Sequence, residues 1–378
     1  MSKGRLRVGV IGCGGIAQMM HLPFLEKNAD RFEIAALCDL SDNVLSALAK
    51  RYHLPDTGCF TDYRMMLKQN LDAVLVTSGG DHTPQVRAAL LSGAHVFVEK
   101  PLCYTQAQAL ELGRLAQEQK LKLMVGYMKR FDPAYQRARQ LLAGLGELRY
   151  VQLNTLHPEE EGYLYFQGLI QADDIAPETI RHLRAQEDQA ITAAVGEIPA
   201  YLRAEYTDVL LGSMVHDINV LRGLLGEPQK VLFAEHWPQG EKPGGITTTM
   251  MFSPDLRVVY TWVFLAELRD YSQEIALMSA SQRLRLQFPS PYLRHFPTSL
   301  THQYMKDGAA VEEKITVNYD EAFEQELLAF YDCVVNDREP LTGADDARAD
   351  IAVLQQILAG LHPVGLSGEA AGYMLGRN

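Results

Sequence analysis

The chain has 378 residues, 47% hydrophobic and 22% charged, a globular composition that excludes a disordered or low-complexity protein. Its 35 basic residues face 47 acidic ones, and the formal net charge of −12 repels phosphate backbones and anionic lipid. Nucleic acid and membrane partners are therefore not expected. The length predicts two domains.

No apolar run reaches the roughly 20 residues that span a bilayer. The start of the chain lacks the apolar stretch and small-residue cleavage site of a signal peptide. Cys13, Cys38, Cys59, Cys103 and Cys333 are odd in number, scattered and without a C-x-x-C pair. They predict neither a disulfide framework nor a zinc site, so a cytoplasmic protein without a metal is the expectation.

In chain order, Leu6–Ile11 reads as a buried strand ended by glycines, followed by a helix over about 15–28. Phe32–Cys38 is a second strand, and Ser41 caps the helix after it. Asp72–Thr77 is a third strand, and Pro84 opens a helix that stops before Gly93. His95–Val98, a helix over Gln106–Gln119, and Leu121–Gly126 complete an alternation that specifies a doubly wound parallel sheet.

Beyond Lys129 the grammar changes. A helix over Ala134–Leu145 precedes a strand at Leu148–Leu156. Further strands are expected at Val231–His236, Thr247–Phe252, Arg257–Phe264 and Glu274–Ser279, with turns such as Ser253-Pro254-Asp255 that favour antiparallel hairpins. A sheet with few covering helices leaves one face open, and burying it against a second copy predicts a homodimer or homotetramer. Late helices fall near Asp320–Asn336 and Ala347–Leu361. Residues 157–205 carry ten acidic and three basic side chains. A solvated helical excursion is favoured there over a substrate lid.

Gly12-Cys13-Gly14-Gly15-Ile16-Ala17 has the G-x-G-x-x-A form, between a strand and a helix. Gly12 allows the tight turn, Gly14 the approach of a pyrophosphate, and Ala17 close helix packing. Asp39 ends the second strand, where a carboxylate accepts ribose hydroxyls. No Arg or Lys occurs in Leu40–Asn43 to meet a 2′-phosphate, so NAD is favoured over NADP.

Glu99-Lys100-Pro101 closes the fourth strand at the crevice side, with Lys100 expected near the nicotinamide. There it either polarises a substrate hydroxyl or is an ordinary surface lysine. Ser78 and His82 lie in the loop after the third strand, in reach of cofactor. Within a helix from Gly212, Val215, Ile218, Leu221 and Leu225 form an apolar face. Gly212, His216, Asn219 and Gly223 form a small polar face that suits a pocket wall, although a lone histidine is more often structural. Lys129 and Arg130 either grip substrate or make a salt-bridged junction, and His157 ends a strand where it could line the site.

Taken together, GCGGIA at Gly12–Ala17, Asp39, EKP at Glu99–Pro101, MKRFDPAY at Met128–Tyr135 and HDIN at His216–Asn219 resemble the glucose-fructose oxidoreductase / inositol dehydrogenase / MocA (Gfo/Idh/MocA) family. The resemblance implies an N-terminal Rossmann domain over 1–128. It also implies a C-terminal α/β domain over 129–378 whose large open, mainly antiparallel sheet builds the substrate site and the oligomer. The helix near 347–361 would pack back on the first domain. By this likeness Lys100 is the catalytic lysine and His216 the acid/base, on an analogy rather than on physics.

Two positions depart from the family pattern: Gly212 and Asn219 stand where many members carry Asp. The implied activity is an NAD-dependent dehydrogenase acting on a secondary alcohol of a sugar, cyclitol or related polyol. Alternatives within the fold are a glycoside-cleaving enzyme that uses bound NAD by oxidation and elimination, and a catalytically inactive NAD- or sugar-sensing protein.

Overall fold

The computed structural model describes residues 4–159, 164–239 and 242–361. Glu160 and Glu161, two members of the acidic segment, lie outside the described residues. The chain divides into two compact units. One comprises Met1–Tyr127, Gln167–Gly196 and Phe323–Ile351, and the other Met128–Phe166, Glu197–Ala322 and Ala352–Asn378.

The first unit is built on six parallel strands: β1 (Leu6–Ile11), β2 (Phe32–Cys38), β3 (Cys59–Phe60), β4 (Ala73–Val76), β5 (His95–Glu99) and β6 (Leu123–Gly126). Their order is β3-β2-β1-β4-β5-β6, so the strand sequence reverses between β1 and β4. That reversal opens the crevice where such sheets bind ligands. β1, β4 and β5 are almost entirely buried, as expected of strands covered on both faces.

Local sequence sets the connections. Ser41 accepts the Val44 amide and caps α2 (Asp42–Arg51; α1 is Leu22–Lys27). Further on come α3 (Tyr63–Met66), α4 (Thr83–Leu91) and α5 (Gln106–Gln119), which opens on a Thr105/Gln108 capping box. The short β3 and α3 lack enough alternation to be read from sequence. The helix expected over 15–28 is a π-helical turn, Ala17–His21, running into α1.

The second unit carries an eight-stranded sheet in the order β14-β13-β12-β11-β7-β10-β9-β8. Its strands are β7 (Leu148–His157), β8 (Lys230–Gln239), β9 (Lys242–Met251), β10 (Arg257–Phe264), β11 (Ser272–Ser279), β12 (Arg283–Phe288), β13 (Ser299–Lys306) and β14 (Ala309–Ile315). Every pairing is antiparallel except β7 with β10. Burial alternates along β10 and β12, which gives one packed row of side chains and one less covered row.

Periodicity predicts only five of these strands. β12 alternates polar and apolar side chains from Arg283 to Phe288, a strand pattern that the five expected strands leave out, whereas β14 is largely exposed, an edge strand whose Glu312 and Glu313 carry charge rather than apolar side chains.

The helix expected to begin at Gly212 begins earlier. After α6 (Pro133–Leu142) and the long, largely solvated α7 (Pro177–Val195) comes α8 (Ala200–Ala204). α8 continues through a π-helical stretch, Glu205–Met214, into α9 (Val215–Leu225). α10 (Ala322–Val335) and α11 (Ala344–Leu361) close the described chain.

Candidate functional site

In the first unit, β1 ends in Gly12, whose φ of +86° lies in the left-handed region. A side chain there would run into the Ser78 backbone. Gly12 N donates to Cys38 O at 2.8 Å, and Thr77 Oγ1 donates to Gly12 O, so the turn is wedged between β2 and β4. A Cβ at Gly14 would meet nothing within 4 Å, which leaves open ground beside the turn. Ile16 stands at the start of the helix, and Ala17 is fully buried beneath it.

Asp39 braces this turn from below. Its carboxylate accepts Cys13 N at 2.7 Å and Ser41 N at 3.0 Å, which joins the glycine turn to the start of α2. Ser78 Oγ is buried with no hydrogen-bond partner among the described residues. An orphaned hydroxyl, bare ground at Gly14 and an adjacent carboxylate together fit a dinucleotide.

The EKP motif splits into inward and outward halves. Glu99 is buried, its Oε1 lies 2.6 Å from His21 Nε2, and its Oε2 accepts Lys100 N at 3.2 Å. Burial pushes the Glu99 carboxyl up, yet the His21 bond and charge, with Lys100, hold it below its usual value. Lys100 is half-buried, and the Lys100–Pro101 peptide is cis. His82 is buried; its Nδ1 lies 2.7 Å from Pro101 O and its Nε2 2.6 Å from Ser78 O. Both ring nitrogens thus tie two loops together.

Glu326, on α10, joins His21 and Glu99; the three offer ligand atoms within 4.8 Å of one another. Burial and the Glu99 charge push the Glu326 carboxyl well above its usual range.

In the second unit, the residue that organises the HDIN helix is Asp217, which the sequence reading passed over. It is fully buried. Its carboxylate takes Lys129 Nζ at 3.2 Å and Thr155 Oγ1 at 2.9 Å, and also the Tyr260 hydroxyl and the Gln273 amide. A signal existed: Asp217 precedes Val220 and Leu221 by three and four residues on one helical row, so it is a carboxylate in a buried stripe.

Burial lowers the Lys129 ammonium despite the raising effect of Asp217. The Tyr260 phenol is pushed well up, by burial first and by Asp217 second.

Lys129 and Arg130 are both buried. Arg130 Nη1 donates to both Asn219 O and Asn219 Oδ1 at 3.2 Å. Asn219 is fully buried, and a Cβ at Gly223 would collide with the Tyr135 hydroxyl and the Arg130 guanidinium. This part of the small polar face is packed in the structure. At Gly212 a Cβ would sit 3.1 Å from Thr207 O, a crowding produced by the π-helical winding.

His216 stays half-buried, one residue from the Asp217 anchor. His157 is half-buried between the Trp262 and Tyr271 rings, with centroids at 5.9 and 5.7 Å.

Residues 6–127 match the model of an oxidoreductase family with an NAD-binding Rossmann fold (GFO_IDH_MocA). The chain is similar to an inositol 2-dehydrogenase/D-chiro-inositol 3-dehydrogenase of Shouchella clausii. The two are 35% identical over 140 residues, 36% of this chain and 40% of the relative. Similarity to an inositol 2-dehydrogenase of Corynebacterium glutamicum strain R is 31% over 184 residues, 47% of this chain and 53% of the relative. The chain thus spans about half the length of the curated relatives it matches.

Among solved structures, a UDP-N-acetylglucosamine 3-dehydrogenase of Acidithiobacillus ferrooxidans superposes with a TM-score of 0.71 at 20% identity. That match covers 95% of this chain and 99% of that one, and it establishes the fold. Among the described residues, no helix is long and apolar enough to cross a membrane.

Proposed function

We propose that this chain is a dehydrogenase of the Gfo/Idh/MocA type, a reading supported by the match of residues 6–127 to the model of an oxidoreductase family with an NAD-binding Rossmann fold. It moves a hydride between NAD and a secondary alcohol of a cyclitol, sugar or related polyol. The observation that carries the reading is the Gly12–Ala17 turn braced by Asp39, with open ground at Gly14. NAD is preferred over NADP because Asp39 offers a carboxylate to the adenosine ribose and Leu40–Asn43 supplies no cation. The cyclitol class follows the relatives named as inositol dehydrogenases.

Bound NAD supplies the hydride acceptor. The chain supplies position and proton transfer. His216 is assigned the acid/base role toward the hydroxyl proton, and Lys100 the role of the catalytic lysine beside the nicotinamide. Asp217, held by Lys129, Thr155, Tyr260 and Gln273, fixes the helix that carries His216. His157 is the substrate-side group in this scheme, whereas Lys129, Arg130 and Asn219 position the framework. Self-association through the less covered face of the second sheet, as a homodimer or homotetramer, and a cytoplasmic location complete the reading.

The test is absorbance of reduced nicotinamide when protein and NAD are offered a panel of cyclitols, sugars and glycosides. With the active substrate in hand, Lys100→Met should cut turnover by about 10²–10⁴-fold while NAD still titrates onto the protein. Turnover at the wild-type rate in Lys100→Met would remove the lysine from the mechanism.

A further inference from the structure

Most of α7 is exposed, and the stretch before it, like α7 a part of the first unit, is held against the glycine turn and α2. Gln18 is the hinge of that docking. Its Nε2 donates to Cys13 O at 2.8 Å and to Ile170 O at 3.1 Å, and its Oε1 accepts Ile170 N at 2.9 Å. Leu169 lies 3.6 Å from where a Gly15 side chain would begin. Residues 169 and 170 therefore run directly along the glycine turn.

Four residues on, the strap reaches the start of α2. Asp174 Oδ1 accepts the Ser41 hydroxyl, and Asp174 Oδ2 accepts Asn43 N at 2.9 Å. Beside it, Asp173 Oδ1 accepts Asn43 Nδ2 at 2.9 Å. Ser41 is also the residue whose amide Asp39 holds at 3.0 Å. If Asp39 binds the adenosine ribose, the donors next to it are the Ser41 hydroxyl and the first amides of α2. A phosphate on the ribose 2′-oxygen would use those groups, since they are hydrogen-bond donors at the positive end of a helix. Here a carboxylate already has them. The Ser41 and Asn43 bonds also hold the Asp174 carboxyl below its ordinary value, so it remains an anion at neutral pH.

We propose that Asp174, delivered by the strap rather than by the fingerprint, is a specificity-determining residue that excludes the 2′-phosphate of NADP and so selects NAD. A 2′-phosphate must displace this carboxylate from its donors and then sit among Asp39, Asp42 and Asp173 with no cation from Leu40–Asn43 to offset it. The 2′-hydroxyl of NAD carries no such charge and leaves Asp174 in place. The inference rests on the dinucleotide reading above and adds to it a residue far from the motif in sequence.

The experiment titrates NAD⁺ and NADP⁺ separately onto the full chain, its Asp174→Ser variant and its Asp174→Asn variant, reading Kd by calorimetry. Asn keeps the shape and removes the charge; Ser removes both. The ratio of the NADP⁺ Kd to the NAD⁺ Kd should fall about tenfold or more in both variants, the size expected from freeing charge-assisted donors. A ratio unchanged within about twofold, including the case where both nucleotides weaken together, would make Asp174 a brace and overturn the proposal. So would a wild-type chain that prefers NADP⁺. A wild-type chain that binds neither nucleotide would overturn the dinucleotide reading itself, and the inference with it, before any variant is compared.

Discussion

Both units contain a carboxylate that organises its surroundings, Asp39 in the first and Asp217 in the second. Asp39 holds two backbone amides, Cys13 N and Ser41 N, 26 and 2 residues away, at a strand-turn-helix junction. Asp217 holds four side chains that lie 43 to 88 residues away on separate elements. The first carboxylate is exposed enough to serve a ligand, whereas the second is sealed in. One kind of group thus does two jobs, and the partners decide which. Backbone donors leave an anion available for a further guest, whereas four converging side chains consume it.

That contrast predicts unequal consequences of removal. Asp217→Ala leaves Lys129 buried without its counter-charge and should cost about 3–5 kcal/mol, measured as a shift in the urea midpoint. Adding Lys129→Met should recover part of that loss, because the uncompensated cation goes with it. A loss under about 1 kcal/mol in Asp217→Ala would mean that the cluster does not anchor α9.

Gly12→Val tests the other unit. Its positive φ and the Ser78 backbone leave no place for a side chain, so a penalty of about 1–3 kcal/mol is expected together with loss of NAD titration. If Gly12→Val bound NAD as the wild type does, the turn would not be the cofactor cradle.

The same contrast explains what the sequence discloses. The turn at Gly12–Ala17, Asp39 and the parallel sheet can be read from sequence because each depends on residues close together and on the order strand, glycine, helix. The eight-stranded sheet is half legible: β12 alternates from Arg283 to Phe288 and carries a strand signal that the five expected strands leave out, whereas β14 is a largely exposed edge whose charge gives pattern little to hold.

Lys129 and Arg130 were open between substrate contact and structural pairing, and only the fold places Asp217 and Asn219 against them. Asp174 has no sequence signal at all. An aspartate in a loop reads as solvated until Ser41 and Asn43, more than 130 residues earlier, are brought to it.

Glu205 offers the gentlest test of whether burial without a partner matters in the second unit. It opens the π-helical stretch and is buried, and its Oε2 has no hydrogen-bond partner among the described residues. Burial first and Asp208 second push its carboxyl from 4.5 up to about 7. Between those two values the folded chain keeps a proton that the unfolded chain has released. This contribution to stability is therefore complete below pH 4.5 and falls as pH rises toward 7. Glu205→Gln keeps the neutral form at every pH. Relative to wild type it should gain up to about 3 kcal/mol between pH 5 and pH 8, read from paired urea titrations. A difference between the two proteins that stays constant across that range would show Glu205 ionised throughout. Burial in the π-helical stretch would then leave this carboxylate unperturbed, and the comparison with the four-partner Asp217 would lose its unpartnered member.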